Sequence, residues 1–237
     1  MKREEGVDRL STIKVSRNAS GYIVMHYLIS DLQNSISLYA KGKLLDIGCG
    51  NKPYKALFEG KIEGYTGCDV VQSSLNQVDV ICEATMLAFE KEQFDTVFST
   101  QVIEHVSDSQ KMLGEAFRVL RKGGNIILSA PFCWELHEEP HDFFRFTKYG
   151  LTALFEQAGF EVKSIKENGG KWAAIFQLNL NVIYSIFQRK SIFVKLIKGL
   201  FINLHLTALV NYIALKLDKR FYSDLLTLNY VVVASKP

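Results

Sequence analysis

Strand-length apolar runs and helical stretches alternate along this chain, and that order limits the fold more than any single residue does. Apolar runs occur at 43–47, 65–70, 96–99 and 125–130, with a helix expected over 22–39 ahead of the first. Ser107 and Asp108 can cap another helix, whose apolar positions Met112, Leu113, Ala116, Phe117, Val119 and Leu120 fall on one face and which Gly123 and Gly124 would end. A third starts at Thr147, carries Leu151, Leu154 and Phe155, and stops at Gly159. Alternation resumes at Phe160, Val162 and Ser164, and the run 226–234 is again strand-like. Strands separated by helices need right-handed crossovers, so the sheet is expected to be mainly parallel and covered on both faces, with its ligand beyond the carboxyl ends of the strands.

A chain of 237 residues suits one large domain, or one domain with an insertion. Its net charge of +3, without a dense basic stripe, argues against a nucleic-acid partner. Cys49, Cys68, Cys82 and Cys133 form no C-x-x-C pair, and the N-terminal MKREEGVDRL is charged, so the thiols read as reduced and the location as cytoplasmic.

The strongest motif is LLDIGCG at 44–50, an apolar strand carrying Asp46 followed by Gly48 and Gly50 in the turn. Glycines let the backbone approach a ligand, and a following helix would supply N–H groups for a carboxylate. Pro53 stands where a dinucleotide fingerprint needs glycine or alanine. Asp46 would repel a pyrophosphate and attract an ammonium, although an Asp capping a helix there is the plainer reading. Asp69, about twenty residues on, sits where an acid accepts both hydroxyls of a ribose. Val70 can lie against a purine face, Glu83 can accept from an exocyclic amine, and the Ala84 N–H can meet a ring nitrogen. In order, these residues describe ammonium, carboxylate, ribose and adenine.

LLDIGCG, GCDV, CEATMLAFEKEQFDTVFSTQVIEHV and FRVLRKGGNIILSAP together resemble a class I S-adenosylmethionine-dependent methyltransferase over roughly residues 43–170. The resemblance implies a Rossmann-like, doubly wound α/β fold with seven strands, the last of them antiparallel. It also implies S-adenosylmethionine as cofactor, Gly48 and Gly50 at its methionine part, Asp69 at the ribose, Glu83 and Ala84 at adenine, and Gln101 near the amino-acid end. GNKPYKALF and PHDFFRFTKYGL further resemble bacterial methyltransferases linked to polysaccharide or glycoconjugate synthesis.

LHEEPHDFFRF at 136–146 then falls on the rim where an acceptor would sit. His137, Glu138 and His141 have the H-E-x-x-H spacing of a zinc helix, but Pro140 would break that helix, so no metal is expected. His141 and Asp142 are candidates for deprotonating a hydroxyl, and Arg145 for binding an acidic part of the acceptor. His137, Phe144 and Trp134, with Phe143 and Phe146, would line and dry the pocket. An Asp142–Arg145 pair that only shapes the turn is the structural alternative. His105 in QVIEHV is expected to brace the cofactor loop.

Residues 1–42 read as an N-terminal helical segment and 43–237 as the methyltransferase domain, with a helical insertion at about 173–220. From 171 to 220 there are eight Lys/Arg and one acid, Asp218, among strongly apolar residues. The uncharged stretches fall short of the roughly 20 residues of a spanning helix. They suit a lid, a homodimer contact, or peripheral contact with the inner face of a membrane. The expected function is methyl transfer to a hydroxyl of a saccharide or related small metabolite. The alternatives are a quinone or lipid-like acceptor, and a non-catalytic cofactor-binding scaffold.

Overall fold

The computed structural model describes residues 10–237. Contacts divide them into two units, residues 10–13, 31–166 and 230–237 forming one and 14–30 and 167–229 the other. The long helix α1 (Tyr22–Tyr39) has the expected bounds and runs through the division.

In the first unit, β1 (Lys43–Ile47), β2 (Gly64–Asp69), β3 (Val80–Ile81), β4 (Phe94–Thr100) and β5 (Leu120–Pro131) pair in parallel. With β6 (Glu161–Asn168) and β7 (Asn229–Ser235) they make a seven-stranded sheet of order β3-β2-β1-β4-β5-β7-β6. Gly123 N donates to Lys236 O and Lys236 N to Gly124 O, so the start of β5 meets the end of β7 and the two run antiparallel. The core lies under Leu45, Ile47, Val97, Ile126, Leu128 and Val232. Helix α2 (Ser109–Val119) covers it with Met112, Leu113 and Ala116, and α3 (Lys148–Gln157) with Leu151 and Phe155. Burying such a side chain stabilises by roughly 1.5–3 kcal/mol, which holds these short helices in place.

Both helices start where the sequence indicates. Asp108 accepts from Lys111 N at 2.9 Å, and Thr147 Oγ1 from Gly150 N at 3.1 Å. The end of α2 differs: it stops at Val119, four residues before the glycines. Lys236 reaches in from β7 and donates to Phe117 O at 2.9 Å and Leu120 O at 2.8 Å, satisfying carbonyls the last turn leaves open. Leu120 then turns into β5, and Gly124 serves a close approach instead, since a Cβ there would stand 2.9 Å from Asp95 O.

The second unit contains α4 (Lys171–Ile186), α5 (Ile192–Asn203) and α6 (Leu206–Arg220). The insertion thus has a partner from the N-terminal segment. Asp218 accepts from Tyr27 Oη at 2.8 Å, Gly170 N at 2.8 Å and Ala173 N at 3.2 Å. Gln177 donates to Ser20 O at 2.8 Å, and Asn211 to Arg17 O at 2.8 Å. Helix α5 buries no residue. No single helix among the described residues is long and apolar enough to cross a membrane; α5 and α6 together have that length and composition but bend by 59°.

Candidate active site

Because β1 to β5 run the same way, their carboxyl ends share one rim. The β1 loop is strapped to β2: Gly48 N and Cys49 N both donate to Cys68 O, at 2.8 and 3.0 Å. Gly48 has φ +74°, and a Cβ on it would lie 2.3 Å from Val102 Cγ2, so glycine is required for both backbone and space. Gly50 has φ +47°. The helix expected after this loop is only a 3₁₀ turn, Lys55–Phe58. Lys52, in the left-handed region, and Pro53, which has no N–H, break helical continuation from the glycines. The N–H groups of Gly48, Cys49 and Gly50 are engaged by Cys68 and Asp69, so the glycines serve close approach of the backbone rather than donation.

Asp69 ends β2 and is buried. Its Oδ2 accepts from Gly50 N at 3.1 Å and its Oδ1 from Val70 N at 2.7 Å, tying the two tips together. Asp46 is also buried, and the Tyr65 hydroxyl donates to its Oδ2. Burial pushes its pKa up to about 7; the Tyr65 bond and Lys52 oppose that rise, and Asp69 adds to it. Asp46 is thus a half-neutral group under the loop rather than an open carboxylate at the rim. Glu83 is exposed after β3 beside buried Ala84, and its carbonyl accepts from Met86 N at 3.0 Å. Gln101, φ +53°, follows β4 and donates through Nε2 to Ser129 Oγ at 3.0 Å.

The segment after β5 is organised by Arg145. Its Nε donates to Trp134 O at 3.2 Å, Nη1 to Asp142 Oδ1 at 2.6 Å and Phe144 O at 2.8 Å, and Nη2 to Asp142 Oδ2 at 2.7 Å and Glu135 O at 2.8 Å. A guanidinium has five N–H groups, and five bonds engage them. The expected role for Arg145, gripping an acidic acceptor, is revised accordingly: it clips the loop. Asp142, 1% exposed at its side chain, also accepts from His137 N at 2.9 Å. The Arg145 bonds, with help from His137, hold its carboxyl well below the usual range, which makes it a weak proton acceptor. The structural alternative for this pair is the one the geometry favours. His141 stays partly exposed, as do Trp134 and His137, while Phe144 is exposed and Phe146 buried. Residues 137–141 form turns rather than a helix, in keeping with Pro140.

His105 lies against this loop: its Nδ1 is 3.0 Å from His141 O. Beside it is Glu104, which the sequence reading passed over. The side chain is 0% exposed, and neither carboxylate oxygen has a hydrogen-bond partner. Burial pushes its pKa up to about 8, with Arg145 drawing it back. The signal was the adjacency of an acid to His105 in QVIEHV.

Residues 45–128 match the family model described as methyltransferase domain. An uncharacterized protein of Methanocaldococcus jannaschii is 30% identical over 141 residues, covering 55% of this chain and 65% of that protein. A ubiquinone biosynthesis O-methyltransferase of Pseudomonas entomophila is 29% identical over 164 residues, 56% of this chain and 70% of the relative. Among solved structures, the cyclase SpnF has a TM-score of 0.59 at 17% identity, covering 98% of this chain and 89% of that one. An S-adenosylmethionine-dependent methyltransferase from Thermotoga maritima has a TM-score of 0.57 at 18% identity, covering 92% and 93%. At those identities the structures speak for the fold alone, the Rossmann-like sheet of class I methyltransferases. The sequence match to a methyltransferase domain lies within residues 45–128.

Proposed function

We propose that this chain transfers the methyl group of S-adenosylmethionine to a hydroxyl of a saccharide or related small metabolite. The observation that carries the transfer is the shared rim: Gly48 and Gly50, Asp69 with Val70, Glu83 with Ala84, and Gln101 follow four successive parallel strands, and the His137–Phe146 segment leaves from the fifth. The donor's amino-acid end would meet the glycine loop and Gln101, its ribose Asp69, and its adenine Val70, Glu83 and Ala84.

When bound, the cofactor supplies an electrophilic methyl on sulfonium; the chain's residues align an oxygen behind it and keep water away. Alignment of this kind contributes up to roughly 7–11 kcal/mol. Trp134, Phe143, Phe144 and Phe146 would exclude water. His141, the imidazole at the rim not committed to Arg145, is the general base, worth about 10²- to 10⁴-fold. Asp142 and Arg145 set the loop that presents it. The several polar groups of this loop support a hydroxylated, sugar-like acceptor.

A second reading, a quinone or lipid-like acceptor, has its own observation. Along α5, Ile192 (80% exposed), Phe193, Leu196 and Leu200 stand in solvent beside Lys195 and Lys198. An apolar and basic helix of this kind suits an anionic membrane surface, and it would equally suit a second copy of the chain. The test is transfer of labelled methyl from S-adenosylmethionine by the full chain into sugars, glycolipids and hydroxylated quinones, with product masses read. Gain of one methyl on a sugar hydroxyl and a 10²-fold or larger loss in His141→Ala support the first reading. Labelling of quinones alone moves the assignment to the second, and binding of the donor with no acceptor labelled would sink both.

A further inference from the structure

The geometry points to a divalent transition-metal site, best suited to zinc, made by Glu104, His105 and His137. One ligand-type atom from each lies within 4.8 Å of the other two. Glu104 and His105 close the 3₁₀ turn Ile103–His105 after β4, and His137 comes from the segment after β5. That segment is stitched to the turn, since Phe143 N donates to Glu104 O at 2.9 Å. The three donors are therefore held by backbone bonds.

Two features make this more than a cluster. First, Glu104 is fully buried with both carboxylate oxygens lacking a hydrogen-bond partner. A carboxylate in that position costs several kcal/mol unless a positive group meets it. Arg145, whose charge favours the ionised form of Glu104, has its N–H groups engaged elsewhere.

Second, the His105 tautomer is set as ligation requires. A carbonyl oxygen only accepts, so His105 Nδ1, 3.0 Å from His141 O, carries the proton. In the neutral ring Nε2 then has the lone pair, and it lies 3.9 Å from Glu104 Oε1. His137 Nδ1 has Glu135 O at 3.2 Å, Asp142 Oδ2 at 3.4 Å and the donor Arg145 Nη2 at 3.4 Å around it, so either tautomer finds a partner there. Ligating histidines characteristically donate their other N–H to a carbonyl or carboxylate, as His105 does. Acceptors thus converge where a cation belongs.

Two nitrogens and one carboxylate select zinc, cobalt or iron over magnesium and calcium, which prefer oxygen. Ligand atoms around tetrahedral zinc stand roughly 3.3 Å apart at about 2.0 Å from the metal, so side-chain rotation of under about 1 Å would close the site. Three protein ligands leave a fourth position for water or an acceptor oxygen.

The test needs neither methyl donor nor acceptor, so its outcome is separate from that of methyl transfer. Chelator-treated full-length chain is titrated with zinc by calorimetry, and with cobalt(II) by visible absorption. The expected result is one equivalent bound at micromolar or tighter affinity, with a cobalt spectrum lacking thiolate charge-transfer bands. Glu104→Gln and His137→Ala should each weaken binding by more than about tenfold, a threshold already reached by lesser changes around metal sites. Their circular dichroism and S-adenosylmethionine affinity should be retained. No saturable binding, a thiolate band, equal affinity in both variants, or binding of magnesium in preference to zinc would overturn the proposal. If Glu104→Gln merely stabilises the chain and no metal binds, a proton rather than an ion neutralises Glu104, and the proposal fails.

Discussion

Replacing Arg145 by Met leaves the Asp142 carboxylate, 1% exposed, with the His137 backbone N–H, at 2.9 Å, still donating to it. Two charge-assisted bonds, at 2.6 and 2.7 Å, disappear. Such bonds contribute about 1.5–3 kcal/mol each, and breaking a buried pair by removing one partner costs about 3–5 kcal/mol. Arg145 is itself partly solvated and the loop can relax, so Arg145→Met should destabilise the chain by about 3 kcal/mol. Asp142→Asn keeps the shape and should cost about 2 kcal/mol. The double variant should fall short of the sum by about 2 kcal/mol, because the second change removes a group already stranded by the first. Asp142 has a folded pKa below its unfolded value of about 3.9, so its contribution is complete above that pH and is lost as pH falls through the folded value. The deficit of Arg145→Met should therefore be full at pH 7 and shrink as pH drops below about 4. Urea unfolding across pH, with turnover assayed on the same samples, reads all of this. If Arg145→Met unfolds within 0.5 kcal/mol of the parent (the ordinary range of surface changes, about ±0.5), the clip is wrong. If Asp142→Asn is fully stable yet loses about 10²-fold or more in kcat/KM, Asp142 is the base.

Gly48→Ala should weaken S-adenosylmethionine binding at least about tenfold and destabilise by about 1–3 kcal/mol, from the positive φ and the Val102 overlap. Adding Val102→Ala should recover only part of the loss by calorimetry, because the backbone strain persists. For Asp46, raised to about 7, the folded chain holds a proton the unfolded chain gives up near pH 4, so stability falls as pH rises between about 4 and 7. Asp46→Asn should flatten that slope in denaturant unfolding, and an unchanged slope refutes the burial argument. If α5 meets anionic lipid, the full chain should float with phosphatidylserine-containing vesicles, and Lys195→Glu with Lys198→Glu should abolish flotation. Flotation with neutral vesicles alone, or dimerisation lost in the same variant, would assign the face otherwise.

What the order of residues determined by itself is the part governed by local periodicity and backbone chemistry. The α1 and β1 bounds, the Asp108 and Thr147 caps, and the glycine loop at 48–50 follow from apolar spacing, short polar side chains and the need for φ > 0. These signals act within a few residues, so a linear reading contains them. The tertiary structure decided whatever depends on groups far apart in sequence. Helix α2 ends at Val119 because Lys236 arrives from β7 to take its carbonyls, although Gly123 and Gly124 read as the stop. Asp46 lost its open carboxylate to Tyr65 and burial, and Arg145 spent its donors on five separate oxygens. QVIEHV and LHEEPHDFFRF each stood out alone, yet only the parallel register of β4 and β5 brings Glu104, His105 and His137 together. Solvation and hydrogen-bond saturation are properties of a site in space, and no spacing along the chain encodes them.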